Sequence, residues 1–536
     1  MLLKKIDITF IILILIIVLG GFLRFYKLDW GEGLFAHPDE YHIVISVNQL
    51  VFPTQMHPHF FNYGTVIIYF DFFTKEFFQK FNLNPFLIGR FYSAFFSTLT
   101  ILSIYLICRF ILDENRALIA AFLVAITPGL IQQAHFATPE SALTFFIFQS
   151  LLLLLCFTKT KRLRYILCAS IFLGFGIGTK IVAIFFLPVI LMTILLVFLR
   201  SPVKLISFLL LSIATSTITL VIVNPFMFLD YRNWLQSFNY EKSLGDGSTL
   251  VFYTRQFIDT YPVLFQLEKI LPFVLGVSLS IFSILGIIFI SVVLIKKFSL
   301  RLFIIFFTFL CFFLPNSFFF AKWTRFIAPT FPFFAIFAIY PLQQLYKKSR
   351  FFSLLLLFIL IISTATWSVA VFSIYLNHDV RITADNWIKS HLPANSTYLV
   401  EGANTVDLPL NGLNRTSLDF YNLDEDPIAV QKVVNALLQT DYFIIQSRRV
   451  FINHQRLQYL YPKTARLYDN LFNGKLGFEE IKIFHSFPSL SFMGLSVEFP
   501  DEKNAEETWS VFDHPVIRIF QKKQKLEQNE YEKIII

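Results

Sequence analysis

The hydrophobic positions of this sequence form long segments that are separated by short polar joints. A membrane-spanning helix needs about 20 mainly apolar residues. Segments that approach this length lie at 6–24, 85–111, 116–132, 139–158, 164–178, 180–199, 204–225, 272–295, 301–319, 325–345 and 352–375. The pattern therefore predicts a polytopic α-helical membrane protein with about 11 transmembrane helices.

The composition supports a membrane protein and argues against a nucleic-acid partner. Of the 536 residues, 56% are hydrophobic and 15% are charged, and the mean hydropathy is +0.63. A soluble protein cannot bury that much apolar surface. The formal charge of +9 comes from small basic clusters in the joints, which membrane orientation explains better than nucleic acid does. The four cysteines lie inside apolar segments and lack the spacing of a metal site or a disulfide framework.

Basic residues occupy every second joint between the predicted helices. Loops that carry Lys and Arg stay on the cytoplasmic side, so the alternation predicts a cytoplasmic N-terminus and favours two helices within 164–199. The first apolar run lacks a small-residue cleavage site, which indicates an uncleaved anchor in the cell (plasma) membrane. The basic clusters are Lys4/Lys5, Arg109/Arg116, Lys159/Lys161/Arg162/Arg164, Arg200/Lys204, Lys296/Lys297/Arg301 and Lys347/Lys348/Arg350.

The composition changes after residue 376, where the long apolar segments end. Short strand-like runs then alternate with amphipathic, helix-like ones. We therefore predict a transmembrane domain at 1–376, with an external loop at 25–84 that holds interfacial helices, and a soluble extracytoplasmic α/β domain at 377–536. The predicted strands lie at 397–400, 442–446 and 516–520, and the predicted helices at 384–391 and 429–438.

Two adjacent carboxylates, Asp39 and Glu40, stand in the first external loop beside His37. They can begin a helix, where the helix dipole favours carboxylates. Alternatively, such a carboxylate takes a proton from an acceptor hydroxyl as its oxygen attacks. We interpret Asp39 as the catalytic base, supported by Glu40 and His37. The same residue types also suit a divalent metal ion, with Asp39, His37 and Glu140 as candidate ligands; the sequence leaves metal dependence open.

A second polar motif contains His135 and Glu140 at the outer mouth of the fourth predicted helix. Thr138 as the helix N-cap and Pro139 at the first helical position account for two of its residues, but they leave His135 unexplained. We expect the two motifs to share one cavity, in which Glu140 orients the acceptor or a metal ion beside Asp39.

Two cations, Lys322 and Arg325, lie at the outer mouth of the tenth predicted helix. Cations often anchor a helix end by snorkelling. Positive charge is otherwise kept on the cytoplasmic side, however, so an anionic headgroup is a reason to hold two cations outside. Arg binds phosphate oxygens bidentately and Lys binds them as a point charge. We interpret the pair as a site for donor phosphate, to which Arg90 and Lys180 add positive charge.

Four motifs in order resemble those of the protein O-mannosyltransferase/aminoarabinose transferase superfamily (glycosyltransferase family 39-like). They are His37-Pro38-Asp39-Glu40 followed by 58–64, then 134–140, then Gly178-Thr179-Lys180, and finally Lys322-x-x-Arg325 with Pro329 and Pro332. Glu140 stands where Asp is common in that superfamily, and Phe326 stands where Tyr is more usual. Residues 509–520 look like the tail of many members.

The resemblance implies a GT-C fold and a membrane glycosyltransferase, in which His135 and Glu140 shape the acceptor or donor-sugar side. Such an enzyme moves a hexose or pentose from a polyprenyl-phosphate donor to an extracytoplasmic acceptor, with Asp39 as base or acceptor-binding group and with inversion if transfer is a single displacement. The acceptor, which is a protein, a lipid or a cell-envelope glycan, stays open. The alternative is a transporter or flippase of a lipid-linked glycan, although transporters place ionisable groups near the bilayer midplane. A binding domain on a membrane anchor would not need so many spans.

Overall fold

The computed structural model describes residues 8–402 and 407–536. Lys4 and Lys5, which contribute to the predicted orientation, lie outside these described residues. The chain forms two compact units, and the last break between them, at Phe372/Ser373, lies near the domain boundary predicted at 376. That boundary itself stays a prediction. The first unit holds 8–28, Asp39–Thr249 and Thr260–Phe372, and the second holds Asp29–Pro38, Leu250–Asp259 and Ser373–Ile536.

The first unit is built mainly of α-helices, because its sequence is dominated by apolar segments long enough to satisfy their own backbone hydrogen bonds in a membrane. The helices from the start of the chain to the end of this unit are α1 (Ile8–Phe25), α2 (Pro38–Gln49), α3 (Val66–Phe77), α4 (Pro85–Cys108), α5 (Glu114–Ala125), α6 (Pro128–Ala134), α7 (Glu140–Thr160), α8 (Leu163–Thr179), α9 (Leu187–Phe198), α10 (Pro202–Val223), α11 (Phe226–Leu229), α12 (Tyr231–Asp246), α13 (Leu271–Val274), α14 (Val277–Lys296), α15 (Leu300–Phe318), α16 (Thr324–Ile327), α17 (Phe331–Tyr346) and α18 (Arg350–Leu376).

The described residues contain nine helices that are long and apolar enough to cross a membrane, and the bent pair α5 and α6 makes a tenth if it is one span. Helix α8 is apolar but shorter, with 17 residues. It ends at Thr179, and a new helical run begins at Ile181, so the predicted division of 164–199 is confirmed. The prediction of a polytopic membrane protein is confirmed as well, because each predicted segment is helical over most of its described residues. The segments 116–132, 180–199, 272–295 and 325–345 are each divided between two or more helical elements.

A buried arginine stabilises the bend between α5 and α6, which is 54°. Pro128 begins α6 and has no N–H to donate, so the last carbonyl groups of α5 need other partners. Arg24 donates from Nη1 to the Ala125 oxygen at 2.7 Å, from Nη2 to the Val124 oxygen at 3.0 Å, and from Nε to Ser97 Oγ at 2.7 Å. Arg24 is fully buried, and the partly negative C-terminal end of α5 favours its charge.

The second unit is an α/β domain, as predicted. Its elements are α19 (Val380–His391), β1 (Thr397–Glu401), β2 (Asn414–Leu418), α20 (Ala429–Gln439), β3 (Tyr442–Ile445), α21 (Phe451–Arg456), α22 (Pro462–Phe472), β4 (Phe478–Phe484), β5 (Ser489–Phe492), β6 (Leu495–Glu498), α23 (Glu507–Ser510), β7 (Ile517–Lys522) and α24 (Gln528–Ile535). The main sheet has the order β2-β1-β3-β7-β4, and β1 is parallel to both β2 and β3. Strand β7 is antiparallel to β3 and β4. Strands β5 and β6 form a separate pair.

A segment from far upstream, Leu250–Asp259, belongs to this second unit. Its Arg255 donates from Nη1 to the Tyr421 carbonyl oxygen at 2.6 Å and from Nη2 to Glu425 Oε1 at 2.7 Å. The Nε2 atom of His454 lies 2.8 Å from Arg255 Nη1. Burial lowers the pKa of His454 to about 4, so the ring is neutral at pH 7 and accepts this hydrogen bond.

The tail motif at 509–520 forms a buried hydrogen-bonded cluster in the same unit. His514 Nδ1 lies 2.5 Å from Asp513 Oδ1, and Nε2 lies 3.0 Å from Asp501 Oδ2. Trp509 Nε1 donates to the same Asp501 oxygen at 2.8 Å. Burial lowers the pKa of His514, but the two carboxylates raise it by more, to about 10. The ring is therefore an imidazolium at pH 7, and its charge is balanced within the domain.

Replacing Arg24 by Leu should destabilise the membrane unit. The substitution keeps a buried side chain but leaves the Ala125 carbonyl group without this donor, at a cost of about 1–3 kcal/mol for an unsatisfied group. The Val124 carbonyl group keeps the hydrogen bond from the Thr127 nitrogen at 3.4 Å. Thermal unfolding in detergent measures the loss. Arg109→Ala, which removes an exposed arginine 3.6 Å from Glu114, is the control and should change stability by less than about 1 kcal/mol. Equal stability of the two variants would contradict the role assigned to Arg24.

Candidate active site

Asp39 lies in the first turn of α2 and is the centre of the candidate site. Its Oδ2 accepts a hydrogen bond from the Tyr63 hydroxyl at 2.8 Å and another from the Arg325 guanidinium, with which it forms an ion pair. The side chain of Asp39 is 17% exposed and that of Arg325 is 22% exposed. Because both are partly accessible, a ligand can reach the pair and compete for either partner.

Tyr63 and Lys180 are brought together by a close approach of two backbone segments. The Gly64 nitrogen donates to the Thr179 oxygen at 3.0 Å, and a Cβ atom on Gly64 would lie only 1.9 Å from the Gly178 oxygen. This approach requires a residue without a side chain. Lys180 Nζ consequently lies 5.1 Å from the centroid of the Tyr63 ring. The glycine–lysine corner in the sequence thus forms one wall of the site.

Glu140 is the second carboxylate of the site and the first residue of α7. Its Oε1 accepts a hydrogen bond from Lys180 Nζ at 2.7 Å, and its buried Oε2 has no hydrogen-bond partner within the described ranges. The N-terminal end of α7 favours this negative charge. Because Pro139 occupies the N-cap position, the predicted cap at Thr138 is wrong by one residue.

Arg325 carries a donor that the described part of the protein does not use. Its Nε is buried and has no hydrogen-bond partner there, while its guanidinium carbon lies 5.2 Å from the centroid of the Trp323 ring. Arg325 also interacts electrostatically with Glu140 and Glu241. A buried donor without an acceptor costs about 1–3 kcal/mol, so this atom indicates a polar ligand in the working site.

Lys322 lies just before Arg325 but has different partners. Its Nζ donates to the Phe320 carbonyl oxygen at 2.9 Å and to Thr260 Oγ1 at 3.1 Å. Burial lowers the pKa of Lys322. The two predicted phosphate-binding cations are therefore held differently: Arg325 is paired with a carboxylate, and Lys322 is held by neutral oxygens that an anion can supplement.

Glu40 and Arg90 form a buried ion pair with each other. Arg90 Nε and Nη2 donate to the two carboxylate oxygens of Glu40, each at 2.9 Å, and Arg90 Nη1 donates to the Leu28 oxygen at 2.7 Å. The Ala137 nitrogen also donates to Glu40 at 2.6 Å. Neither charged side chain is exposed. Their predicted roles, in catalysis and in phosphate binding, therefore lack an open path to a substrate in this arrangement.

The two histidines that were predicted as binding residues have contacts within the protein. His135 is fully buried, with Nδ1 2.8 Å from the Ile131 oxygen and Nε2 3.0 Å from the Tyr26 oxygen. His37 belongs to the second unit, where its ring centroid lies 4.3 Å from that of Phe512. Their roles toward a substrate stay predictions.

The three candidate metal ligands do not form a ligand set. Within residues 8–402 and 407–536, no group of three or more His, Cys, Asp or Glu side chains is placed to hold a metal ion. Asp39 is paired with Arg325, Glu140 is paired with Lys180, and His37 packs in the second unit. These residues do not fit a metal ion as arranged here, and metal dependence stays a prediction.

Three residues of the site, Asn62, Tyr63 and Glu241, were not predicted individually. Asn62 Nδ2 donates to Glu241 Oε1 at 2.6 Å. Burial raises the pKa of the Tyr63 phenol well above its usual value, so the hydroxyl stays protonated and donates to Asp39. Asn62 and Tyr63 are part of a motif visible in the sequence, whereas Glu241 is one acidic residue in a long loop and carries no such signal.

Comparison with known proteins agrees with this architecture. A family model described as dolichyl-phosphate-mannose-protein mannosyltransferase matches residues 69–228. That range includes Glu140 and Lys180 but not Asp39 or Arg325. No curated protein sequence matches the chain.

Two solved structures resemble the fold. One is the oligosaccharyltransferase AglB from Archaeoglobus fulgidus in complex with an inhibitory peptide and a dolichol-phosphate, with 15% identity, a TM-score of 0.52, and coverage of 94% of this chain and 74% of that one. The other is ArnT from Cupriavidus metallidurans bound to undecaprenyl phosphate, with 14% identity, a TM-score of 0.51, and coverage of 83% and 94%. Likeness at this level of identity concerns the fold.

The chain is therefore a polytopic membrane protein with the GT-C fold and a C-terminal α/β domain. The partial family match and the fold agree with the GT-C glycosyltransferase superfamily that the four sequence motifs predict.

Replacing Gly64 by Ala should damage the site without removing any of its charged groups. The added methyl would meet the Gly178 oxygen at 1.9 Å, so the two segments must separate and carry Tyr63 away from Lys180. We expect a loss of about 100-fold in the activity of the site, since misplacement by about 1 Å has that effect. Gly245→Ala is the matched control, because a Cβ atom there meets nothing within 4 Å. Equal activity of both variants would contradict this account.

Proposed function

We propose that this protein is a membrane glycosyltransferase that moves a hexose or pentose from a polyprenyl-phosphate donor to an extracytoplasmic acceptor. One observation carries the proposal: the partly exposed Asp39 is held between Tyr63 and Arg325. Such a site combines a proton acceptor with a cation suited to phosphate. The polyprenyl phosphates named with AglB and ArnT support a lipid-linked donor.

In the proposed reaction, the acceptor hydroxyl gives its proton to Asp39 while its oxygen forms a bond to the anomeric carbon of the sugar. The bond from that carbon to the phosphate oxygen breaks, and its electron pair leaves with the polyprenyl phosphate. Arg325 and Lys322 stabilise the charge that grows on the departing phosphate. A single displacement of this kind inverts the anomeric carbon.

In this scheme, the ion pair between Asp39 and Arg325 couples donor binding to the release of the base. Arg325 pairs with Asp39 Oδ2. A donor phosphate competes for the guanidinium, because Arg binds phosphate oxygens with paired hydrogen bonds. Binding of the donor thereby releases the carboxylate oxygen that takes the proton. The unused Nε of Arg325 supplies the additional donor that paired binding needs.

The remaining predicted residues receive roles that follow from their contacts. We propose that the Glu40–Arg90 pair positions Asp39, because Glu40 is its neighbour in α2 and is fixed to both Arg90 and the Ala137 nitrogen. Glu140 contacts the sugar or acceptor through its unpaired oxygen. His135 holds the chain that leads to Glu140.

The proposal includes an orientation. The alternation of basic joints favours a cytoplasmic N-terminus in the plasma membrane. An odd number of predicted spans separates the N-terminus from each of these regions, so the Asp39 loop, the Lys322 loop and the C-terminal domain are assigned to the extracytoplasmic side. The acceptor is accordingly a protein, lipid or glycan of the cell envelope.

Asp39→Asn should abolish transfer and leave the fold intact, whereas Glu40→Gln should destabilise the fold. Loss of the base costs at least about 100-fold in rate, while breaking a fully buried pair costs about 3–5 kcal/mol. Transfer from radiolabelled polyprenyl-phosphate hexoses to membrane extract measures the first effect, and thermal unfolding in detergent measures the second. Glu76→Gln, an exposed carboxylate on α3, is the control. Full transfer activity of Asp39→Asn would end the assignment of Asp39 as base.

Arg325→Lys should weaken donor binding while the positive charge is kept. Lysine offers a point charge in place of the paired donors of arginine, so affinity for undecaprenyl phosphate should fall about 10-fold. Binding to protein in lipid nanodiscs measures the change. Arg232→Lys, an exposed arginine on α12, should bind as the wild type does. Unchanged affinity of Arg325→Lys would exclude Arg325 as a phosphate ligand.

A further inference from the structure

Helix α12 brings a third carboxylate, Glu241, to the site. Glu241 Oε1 accepts a hydrogen bond from Asn62 Nδ2 at 2.6 Å. Asn62 is followed directly by Tyr63, whose hydroxyl donates to Asp39. Glu241 also interacts electrostatically with Arg325 and with Asp39. The side chain therefore belongs to the same charge cluster as the proposed base and the proposed phosphate ligand.

Contacts on either side of Glu241 fix α12 across the site. At its start, Asp230 Oδ2 lies 3.1 Å from His57 Nε2 in the first external loop. Near its end, the Gly245 oxygen accepts a hydrogen bond from the Ala321 nitrogen at 3.2 Å, and Ala321 directly precedes Lys322. Glu241 thus lies on an element that joins the loop of Tyr63 to the loop of the two phosphate-binding cations.

Glu241 differs from the other two carboxylates of the site in how its charge is compensated. Asp39 is paired with Arg325, and Glu140 is paired with Lys180. Glu241 has no ion-pair partner in the part of the chain that the structure describes, and its one hydrogen bond there is to a neutral amide. Burial raises the pKa of Glu241. A carboxylate in this setting is stabilised by a further hydrogen-bond donor, which the described side chains do not supply.

We propose that Glu241, with Asn62 beside it, binds a hydroxyl group of a sugar. This inference rests on the proposed function and names a binding subsite that accompanies it. A carboxylate repels phosphate oxygens, so the group that it receives is not the donor phosphate. A hydroxyl donates to the carboxylate and accepts from the adjacent amide, which matches the two groups present. The hydroxyl comes from the donor sugar or from a glycan acceptor.

The test uses the full-length protein in lipid nanodiscs and compares three probes: undecaprenyl phosphate, undecaprenyl-phosphate mannose and undecaprenyl-phosphate glucose. If the hydroxyl is that of the donor sugar, Glu241→Ala lowers affinity for a sugar-bearing probe by about 10- to 100-fold. Affinity for undecaprenyl phosphate itself stays within about twofold, because the phosphate site is intact. Glu241→Gln, which keeps an acceptor oxygen, recovers part of the loss.

A kinetic arm identifies a hydroxyl of the acceptor. In that case Glu241→Ala binds the donor as the wild type does. The variant needs about 10-fold or more membrane extract, as the source of acceptor, to reach half of its maximal transfer rate. Asp246→Asn, an exposed carboxylate on the same helix, is the matched control in both arms.

Two outcomes overturn the inference. One is wild-type behaviour of Glu241→Ala in both arms, and the other is an equal loss of all three probes, which would indicate a general disruption of the site. Failure of the proposed function is distinguishable, since the wild-type protein would then neither bind nor use any undecaprenyl-phosphate sugar.

Discussion

The site depends on the ion pair between Asp39 and Arg325. Charges in a mainly apolar unit are costly unless they are paired, and this pair joins residues 286 positions apart in the chain. A second ion pair joins Glu140, the first residue of α7, to Lys180, which directly follows α8. The Asp39–Arg325 pair keeps access to solvent, unlike the fully buried pair formed by Glu40 and the nearly buried pair formed by Glu140. An accessible pair can exchange partners with a ligand, whereas the fully buried one serves as fixed support.

The transmembrane architecture could be predicted because bilayer thickness imposes a length on every span and orientation imposes a charge bias on every joint. The bend between α5 and α6 could not, although Pro128 marks its place. The bend is stabilised by Arg24, which lies 101 residues from Ala125. In the α/β domain, the apolar strands β1, β3 and β7 were predicted from the sequence. Strand β2 was not, because it is a polar and mostly exposed edge strand and shows no hydrophobic pattern.

The sequence indicated the residue types of the site better than their pairing. Asp39, Glu140 and Arg325 were predicted from motifs next to helix ends, and the structure brings them into one charge cluster. Glu40 was predicted beside Asp39 because the two are adjacent. Neighbours on a helix point in different directions, about 100° apart, so Glu40 faces the interior instead. Glu241 was missed because its position depends on how a long loop folds back, which no local pattern encodes.

The chain passes between its two compact units at Pro38/Asp39 and again at Asp259/Thr260. One crossing adjoins the proposed base, and the other adjoins Thr260, which holds Lys322. A C-terminal domain exchanged between relatives would therefore have to bring the segments 29–38 and 250–259 with it. Insertions or deletions there would shift active-site residues directly through the backbone. Sequence changes in these two segments of the second unit are therefore constrained by the residues of the first unit that follow them directly in the chain.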